Sequence, residues 1–213
     1  MMRNLVRTGQ PLILALHYAR VAREFFRGSF WSIVLLRAWR GLRVGKGFHI
    51  IGNAKIGKTV TIGRNVKLYS NIVIGSGTII GDNVELRCNK NQEIFVGETC
   101  TVNRGTVIIG NVLIGNNCLI APNCILAGSN HIFADDSIPI NKQGVKSKGI
   151  VIGENVWIGA SSVILDGITI GAGSVIGAGS IVTKDIPKSV IAVGNPCRVI
   201  KIRRNEQSQD QNA

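Results

Sequence analysis

An aliphatic residue recurs at every sixth position of this chain from Ile50 to Val182, with two interruptions. This period fits neither the 3.6 residues of an amphipathic helix nor the two of an ordinary strand. It fits a coil with three flat faces, in which one short strand per face turns its aliphatic side chain inward. We therefore expect an all-β solenoid, a parallel β-helix of hexapeptide repeats. The phased residues are Ile50, Ile56, Ile62, Leu68, Ile74, Ile80, Leu86, Val96, Val102, Ile108, Ile114, Ile120, Leu126, Ile152, Ile158, Ile164, Ile170, Ile176 and Val182.

Two further regularities support this phase. Four residues after most of these aliphatics comes a smaller or β-branched residue, such as Val60, Cys100 or Ser174, which is expected to point inward near a corner. A glycine directly follows ten of the phased aliphatics, as in Ile56-Gly57. We expect these glycines at corners where a positive φ is easiest without a Cβ, and we take none of them as a phosphate-binding loop.

Composition favours one domain in a reducing compartment. The chain has 213 residues with 26 glycines and 5 prolines, which suits a single solenoid. Its 5 cysteines form no C-x-x-C pair, and Cys100, Cys118 and Cys124 fall on the inner stripe. They are expected to be buried free thiols. Charged residues, and no small-residue cleavage site, follow the apolar stretch at 11–16, so we expect a cytoplasmic protein without a cleaved signal.

The N-terminal residues 1–45 contain eight arginines and a single acid, Glu24, interleaved with aromatic residues. No uncharged run there is long enough to span a bilayer. The pattern predicts a basic amphipathic helical segment that contacts the inner face of the cell membrane peripherally. An ordinary helical cap or an oligomer contact is the alternative. The net charge of +13 comes without any nucleic-acid recognition motif, so we expect no nucleic-acid partner.

The two interruptions are the favoured places for chemistry, because loops on a rigid scaffold often carry function. A step of ten residues between Leu86 and Val96 predicts a small bulge, and a longer step predicts a loop at 128–149. The solenoid domain is expected at 46–202, followed by a disordered tail at 203–213. His131 lies at the root of the loop. The other two histidines are distant in sequence, so a zinc site of three imidazoles is not expected.

Several stretches together resemble the hexapeptide-repeat O-acetyltransferases, which include the galactoside, maltose and nodulation-factor acetyltransferases. The resemblance covers about residues 50–202. It implies a left-handed β-helix, a homotrimer, acetyl-CoA as donor without a metal, and active sites at the subunit boundaries. The stretches that carry it are Ile120-Ala121-Pro122-Asn123, the segment 152–159 around Trp157, the segment 176–187 with Thr183-Lys184, and Gly194-Asn195-Pro196-Cys197-Arg198.

The same resemblance assigns roles to individual residues. His131 is implied to be the general base, since an imidazole that is neutral near pH 7 can take the proton of an attacking hydroxyl. Without a nucleophilic Ser or Cys beside it, we expect direct transfer with no acetyl-enzyme. Asn103 and Asn130 are implied to contact the acceptor, although Asn103 could instead be a corner residue with left-handed φ. The residues implied to bind the cofactor are Trp157, Gly159, Ala160, Ala178, Thr183, Lys184, Arg198 and Lys201.

The acceptor is the least determined part. The loop from Ile132 to Gln143 resembles acetyltransferases from polysaccharide and lipopolysaccharide gene clusters, which implies a saccharide hydroxyl of a cell-envelope or exopolysaccharide precursor, with a lipid-linked form as one option. An N-acetyltransferase acting on an amino sugar-nucleotide or a small amine uses the same scaffold, and a non-catalytic scaffold subunit is a third alternative. Asp135, Asp136 and Glu98 are candidates for the acid that orients His131.

Overall fold

The computed structural model describes residues 41–203, which wind into a three-sided coil with one sheet on each side. The first face consists of β1 (Arg43–Val44), β4 (Thr61–Ile62), β7 (Ile79–Ile80), β10 (Thr101–Val102), β13 (Leu119–Ile120), β18 (Trp157–Ile158), β21 (Val175–Ile176), β23 (Val190–Val193) and β24 (Arg198–Ile202). The second face consists of β2 (His49–Ile51), β5 (Lys67–Tyr69), β8 (Glu85–Arg87), β11 (Val107–Gly110), β14 (Ile125–Gly128), β19 (Val163–Ile164) and β22 (Ile181–Val182). The third face consists of β3 (Ala54–Ile56), β6 (Ile72–Ile74), β9 (Ile94–Val96), β12 (Val112–Ile114), β17 (Ile150–Ile152) and β20 (Thr169–Ile170).

Parallel pairing between consecutive coils confirms the predicted repeat. Thr61 pairs with Ile79 and Trp157 with Val175, so an uninterrupted coil takes eighteen residues, or three hexapeptides. The three corners of the coil are called edges. The first edge leads from the first face to the second, the second edge from the second face to the third, and the third edge from the third face to the first face of the next coil. Residues in equivalent positions of successive coils therefore form rows that run along each face and each edge.

The interior is built from the two predicted stripes. Every phased aliphatic is buried except Ile50, which is half-buried at the start of the coil. The smaller residues of the second stripe are buried as well, including Thr78, Thr106, Ser162, Ser174 and Ser180. Each fully buried aliphatic contributes about 1.5–3 kcal/mol relative to an exposed one, so these stacked rows stabilise the coil.

At the corners, the small polar residues of the inner stripe form hydrogen bonds with backbone groups. The Thr78 hydroxyl donates to the carbonyl of Gly97 at 2.8 Å and accepts the backbone N–H of Cys100 at 3.0 Å. The Ser174 hydroxyl likewise donates to the backbone carbonyl of Pro187 and accepts the backbone N–H of Val190. Among residues 41–203 no buried side-chain nitrogen or oxygen lacks a partner. A Ser, Thr or Cys is thus favoured where a corner interrupts the sheet ladder. All 5 cysteines are buried free thiols, as predicted.

The predicted reason for the corner glycines is wrong. None of the ten glycines that follow a phased aliphatic has a positive φ; the left-handed residues lie two positions later, as at Asn65, Thr99 and Asn117. These glycines are required by the stacking of coils instead. A Cβ on Gly153, for example, would lie 2.6 Å from the backbone nitrogen of Ala172 in the next coil.

The ends of the solenoid differ from the sequence prediction. The coil already begins at β1, three residues before the predicted boundary, and these residues are strand. Residues 1–40 of the predicted helical segment and 204–213 of the predicted tail lie outside the described residues. The only helical turn in the described part is the 3-10 helix Ile140–Lys142. At the other end β24 folds back antiparallel onto β23, which the six-residue period did not predict. No helix within residues 41–203 is long and apolar enough to cross a membrane.

Candidate active site

Both interruptions of the repeat emerge at the second edge. The bulge joins β8 to β9, and the loop joins β14 to β17, with one uninterrupted coil between them. Asn111 at the edge of that intervening coil links the two. Its side-chain oxygen accepts the N–H of Glu93 at 3.4 Å, and its backbone carbonyl accepts the N–H of Ile150 at 2.9 Å. The predicted loop is therefore anchored beside the bulge.

The loop begins as a small hairpin that carries His131. Asn130 and His131 form β15, which pairs antiparallel with Lys146 and Val145 of β16. Both Asn130 and His131 are exposed. The tip of the loop is tied by Gln143, whose side-chain nitrogen donates to the carbonyls of Asp135 and Ile138. The imidazole of His131 thus projects from an ordered hairpin into solvent in the single chain.

The candidate acids form no hydrogen bond or salt bridge with His131 within the described chain. The carboxylate of Asp135 accepts the hydroxyl and the backbone N–H of Ser137 at 2.6 and 2.9 Å, which lowers the pKa of Asp135. Glu98 lies at the third edge, away from the loop root. No hydrogen bond or salt bridge among residues 41–203 connects either residue, or Asp136, with the histidine.

Asp166 anchors the return of the loop, and the sequence analysis missed it. Its carboxylate accepts the N–H of Lys148 at 2.9 and 3.1 Å and that of Gly149 at 2.8 Å. The Ser147 hydroxyl also donates to the carbonyl of Gly128 across the root. An aspartate at the expected corner of a repeat gives no sequence signal of this role. The Asp166 carboxylate fixes where the chain re-enters the coil.

Asn103 stands at an unusual position on the first edge. Its equivalents in the other coils are all apolar: glycine or alanine at Gly45, Gly63, Gly81, Ala121, Gly159 and Gly177, and valine at Val193 in the last coil. Its side-chain amide donates to the carbonyl of Ile120 at 3.1 Å and leaves the amide oxygen available. Its φ is not positive, so the alternative of a left-handed corner asparagine is wrong. A polar side chain here is not explained by the turn.

The first edge also presents backbone donors in the two coils around Gly159. At the equivalent place in an earlier coil, the N–H of Arg64 donates to the Asp82 side chain at 2.7 Å. Ala160 and Ala178 have no such acceptor, and within the described residues their N–H groups make no hydrogen bond. Ala160 is half-buried and Ala178 is exposed. These donors can therefore reach a ligand that lies along the edge.

Trp157 borders a cavity on the other side of the first face. Trp157 is 52% exposed and lies between Leu119 and Val175 of the two neighbouring strands. The cavity has a volume of about 310 Å³ and is lined mainly by Leu119, Trp157 and Val175 of the face and by Asn117, Asn155 and Arg203 at the third edge. Of the predicted site residues, only Trp157 lines it.

Thr183 and the three basic candidates occupy two different places. Thr183 and Lys184 follow β22 at the second edge, on the same side as the His131 loop. Arg198 and Lys201 lie on β24 at the end of the first face. All four are exposed. The predicted residues thus form a first-edge group around Asn103 and Ala160 and a second-edge group around His131, separated by the second face.

Comparisons with known proteins agree with this architecture. A family model described as bacterial transferase hexapeptide (six repeats) matches residues 53–88 and 149–184. The galactoside O-acetyltransferase of Escherichia coli (strain K12) is 49% identical over 81 residues, 38% of each chain. The enzyme of the same name from Lactococcus lactis subsp. lactis (strain IL1403) is 40% identical over 79 residues, 37% of each chain. The chain thus spans less than two fifths of these relatives.

A solved structure extends the similarity. The hexapeptide-repeat acetyltransferase from Vibrio cholerae is 29% identical, with a TM-score of 0.55, covering 62% of this chain and 74% of that one. The sequence matches and the three-sided coil together define a class: the protein is a hexapeptide-repeat β-helix that is similar, over the matched segments, to the bacterial transferase hexapeptide family. The relatives described above are named as acetyltransferases.

Proposed function

We propose that the protein is an acetyl-CoA-dependent O-acetyltransferase that modifies a saccharide hydroxyl. The observation that carries this proposal is the free N–H groups of Ala160 and Ala178 on an edge that also holds Asn103. The pantetheine arm of coenzyme A contains amide carbonyls, which such donors would bind in a row. The names of the E. coli and L. lactis relatives support O-acetylation of a sugar.

The active form is a homotrimer of left-handed coils with its sites between protomers. In one chain the first-edge group and the His131 hairpin lie on opposite sides of the second face. A strand of four residues such as β14 spans roughly 13 Å, which is far beyond hydrogen-bond reach. A neighbouring protomer that brings its hairpin to the first edge would complete the site, and a cyclic trimer makes three such pairings.

His131 acts as the general base in this site. Its imidazole takes the proton from the acceptor hydroxyl as the hydroxyl oxygen attacks the thioester carbonyl. When the tetrahedral intermediate collapses, the carbon–sulfur bond breaks and the proton passes to the leaving thiolate of coenzyme A. The Asn103 amide oxygen and Asn130 would hold the acceptor. The transfer is direct and forms no acetyl-enzyme, because the proposed mechanism uses no nucleophilic Ser or Cys beside His131.

The donor is held along the first edge and the end of the first face. Gly159 lets consecutive coils approach closely, and Ala160 and Ala178 supply backbone donors for pantetheine. Arg198 and Lys201 suit the phosphates by charge and, for arginine, by its fork of donors. Thr183 and Lys184 lie on the hairpin side and would approach the nucleotide from the neighbouring protomer. Trp157, exposed on the first face between the two edges, would contact the donor from that face.

The acceptor is a cell-envelope or exopolysaccharide precursor, and a lipid-linked form fits the loop best. The loop that carries His131 exposes several apolar side chains, including Phe133 at 68% and Ile140 at 55%. A free sugar offers little apolar surface to such residues, whereas a saccharide on a lipid carrier does. The enzyme would then act on the inner face of the cell membrane, to which residues 1–45 would bind peripherally.

Acetyl-CoA turnover tests the proposal, followed as free thiol with a panel of envelope saccharides and amino sugars. We compare the intact chain with His131→Gln and with His49→Gln, a control on the second face. Acceptor-dependent release that falls at least about a hundredfold only in His131→Gln supports the proposal. Equal turnover in both variants contradicts the role of His131, and an amide product instead of an ester contradicts O-transfer.

A further inference from the structure

Positive charge is concentrated at one end of the chain. Residues 1–81 contain thirteen Lys and Arg against one acid, Glu24, and so carry +12 of the net charge of +13. The remaining residues are close to neutral. Within the described part, residues 41–81 contain six basic residues and no acid. Within the solenoid the first two coils are therefore the most basic part, whereas residues 171–203 at the other end contain five basic residues and one acid, and the coils between them are slightly acidic.

These six side chains surround the coil on all sides. Arg43 is on the first face, Lys67 on the second and Lys55 on the third, while the first and third edges carry the others. All are exposed. They belong to the first two coils, which occupy about 10 Å of the axis at one strand spacing per coil. We call this set the basic collar: Arg43, Lys46, Lys55, Lys58, Arg64 and Lys67.

Most of the collar is not neutralised by the coil. Arg64 forms an ion pair with Asp82, in which Nη2 and Nε both donate to Oδ2, at 2.7 and 2.9 Å. Within the stretch from 41 to 203, none of the other five residues forms a salt bridge. Because these side chains are exposed, salt screens their field beyond about 8 Å at physiological ionic strength, so the collar attracts an anionic surface mainly at close range.

We propose that the N-terminal end of the coil docks on an anionic lipid bilayer through the basic collar. A linear polyanion follows a track along one side of a protein, whereas the collar faces outward from all three sides at one end. The target that meets all these charges together is a broad, flat anionic surface. In the proposed cyclic trimer three collars face the same plane, which multiplies the attraction. The arginines and aromatic residues of segment 1–40 suit the same lipid surface by composition.

Vesicle co-sedimentation of the full chain tests this surface, and its readout does not depend on catalysis. The collar variant combines Lys46→Gln, Lys55→Gln, Lys58→Gln and Lys67→Gln. The matched control removes four exposed charges elsewhere, by Lys142→Gln, Lys146→Gln, Lys148→Gln and Lys188→Gln. Vesicles of phosphatidylcholine with one fifth phosphatidylglycerol are compared with phosphatidylcholine alone at physiological salt.

The intact chain should bind the anionic vesicles and not the neutral ones. Each collar charge removed should weaken binding about fivefold, so the collar variant should lose on the order of a hundredfold or more and the control far less. Equal losses in both variants, or unchanged binding in the collar variant, overturn the proposal. Binding to soluble heparin that is as tight as binding to vesicles, with the same dependence on the collar, overturns the assignment to lipid. A Lys55→Gln, Lys58→Gln double variant repeats the test if the larger variant unfolds.

Discussion

A Cβ placed on Gly159 would lie 2.8 Å from the Cα of Ala178 in the next coil. The two residues touch because successive corners stack directly, with no side chain between them. The same closeness exposes the Ala178 backbone at the first edge, where the following coil offers no acceptor. One geometric fact thus sets both the stability of the stack and the donors that the edge presents.

Because successive corners stack directly, a methyl group added to a corner glycine should lower the free energy of unfolding even where φ is not positive. Gly153→Ala should lower the free energy of unfolding by about 1–3 kcal/mol, because its Cβ would meet the backbone nitrogen of Ala172. Gly179 is the control, with a φ of 68° and no atom within 4 Å of a Cβ. Gly179→Ala should cost about 1 kcal/mol. Denaturant unfolding measures both, and a larger loss for Gly179→Ala would contradict the argument.

An acidic side chain at the first edge should weaken the binding of acetyl-CoA. In Ala178→Asp the new carboxylate can accept the N–H of Ala160, as Asp82 does for Arg64, and it repels phosphate. We expect the KM for acetyl-CoA to rise at least about tenfold with an unchanged melting temperature. Ala172→Asp is the matched control, because Gly171-Ala172-Gly173 repeats Gly177-Ala178-Gly179 at the third edge. A rise in KM only for Ala172→Asp would indicate that acetyl-CoA binds at the third edge instead.

A site between protomers predicts complementation. Homotrimers of His131→Ala should be nearly inactive, and homotrimers of Ala178→Asp should have low activity when acetyl-CoA is kept well below their raised KM. Co-refolded one to one, they should regain about a quarter of wild-type turnover, because random assembly gives that fraction of sites two intact halves. Steady-state turnover of the mixture measures the effect. No recovery, despite mixed trimers detected by mass spectrometry, would indicate that both residues serve a site within one chain.

Asp166 is a positioning residue for the loop. Asp166→Ala removes the acceptor for the N–H groups of Lys148 and Gly149, so the return of the hairpin should loosen. We expect turnover to fall about tenfold or more, with little change in the KM for acetyl-CoA. Limited proteolysis within 132–148 should become faster.

Asp185→Ala is the control for this effect. Asp185 accepts the N–H of Thr169 at 2.7 Å farther along the same edge, away from the loop. It should leave proteolysis of the loop unchanged. If both variants behave alike, the effect of Asp166 is one of general stability.

The thiols should be silent in the folded protein. All 5 cysteines are buried. Burial raises the pKa of the Cys124 thiol, whereas the Cys118 thiol lowers the pKa of Cys100 to about 7, so Cys100 is protected from a reagent by its 1% exposure and not by a high pKa. A thiol-reactive disulfide should titrate none of them during an assay of minutes and all 5 after unfolding. Rapid labelling of the native protein would show that the stack opens locally. A flat background is also what the measurement of released coenzyme A requires.

The sequence predicted the three faces well, because inward positions in a stacked coil accept only a few side chains and the period records them. It also located the loop and the bulge, since both break that period. It could not reveal the free N–H groups of Ala160 and Ala178, because these depend on what the next coil offers. Asp166 looked like any corner aspartate for the same reason. The antiparallel strand β24 follows no six-residue phase and was therefore missed.

The two interruptions share the second edge, and this has a consequence for how such a chain can diversify. Each coil touches only its neighbours, so extra residues inserted at one corner leave the register of the other two corners unchanged. New surface can be added beside the bulge and the His131 loop while the rows at Asn103 and Ala178 keep their spacing. Insertions at the second edge can therefore vary without changing the arrangement of residues at the first edge.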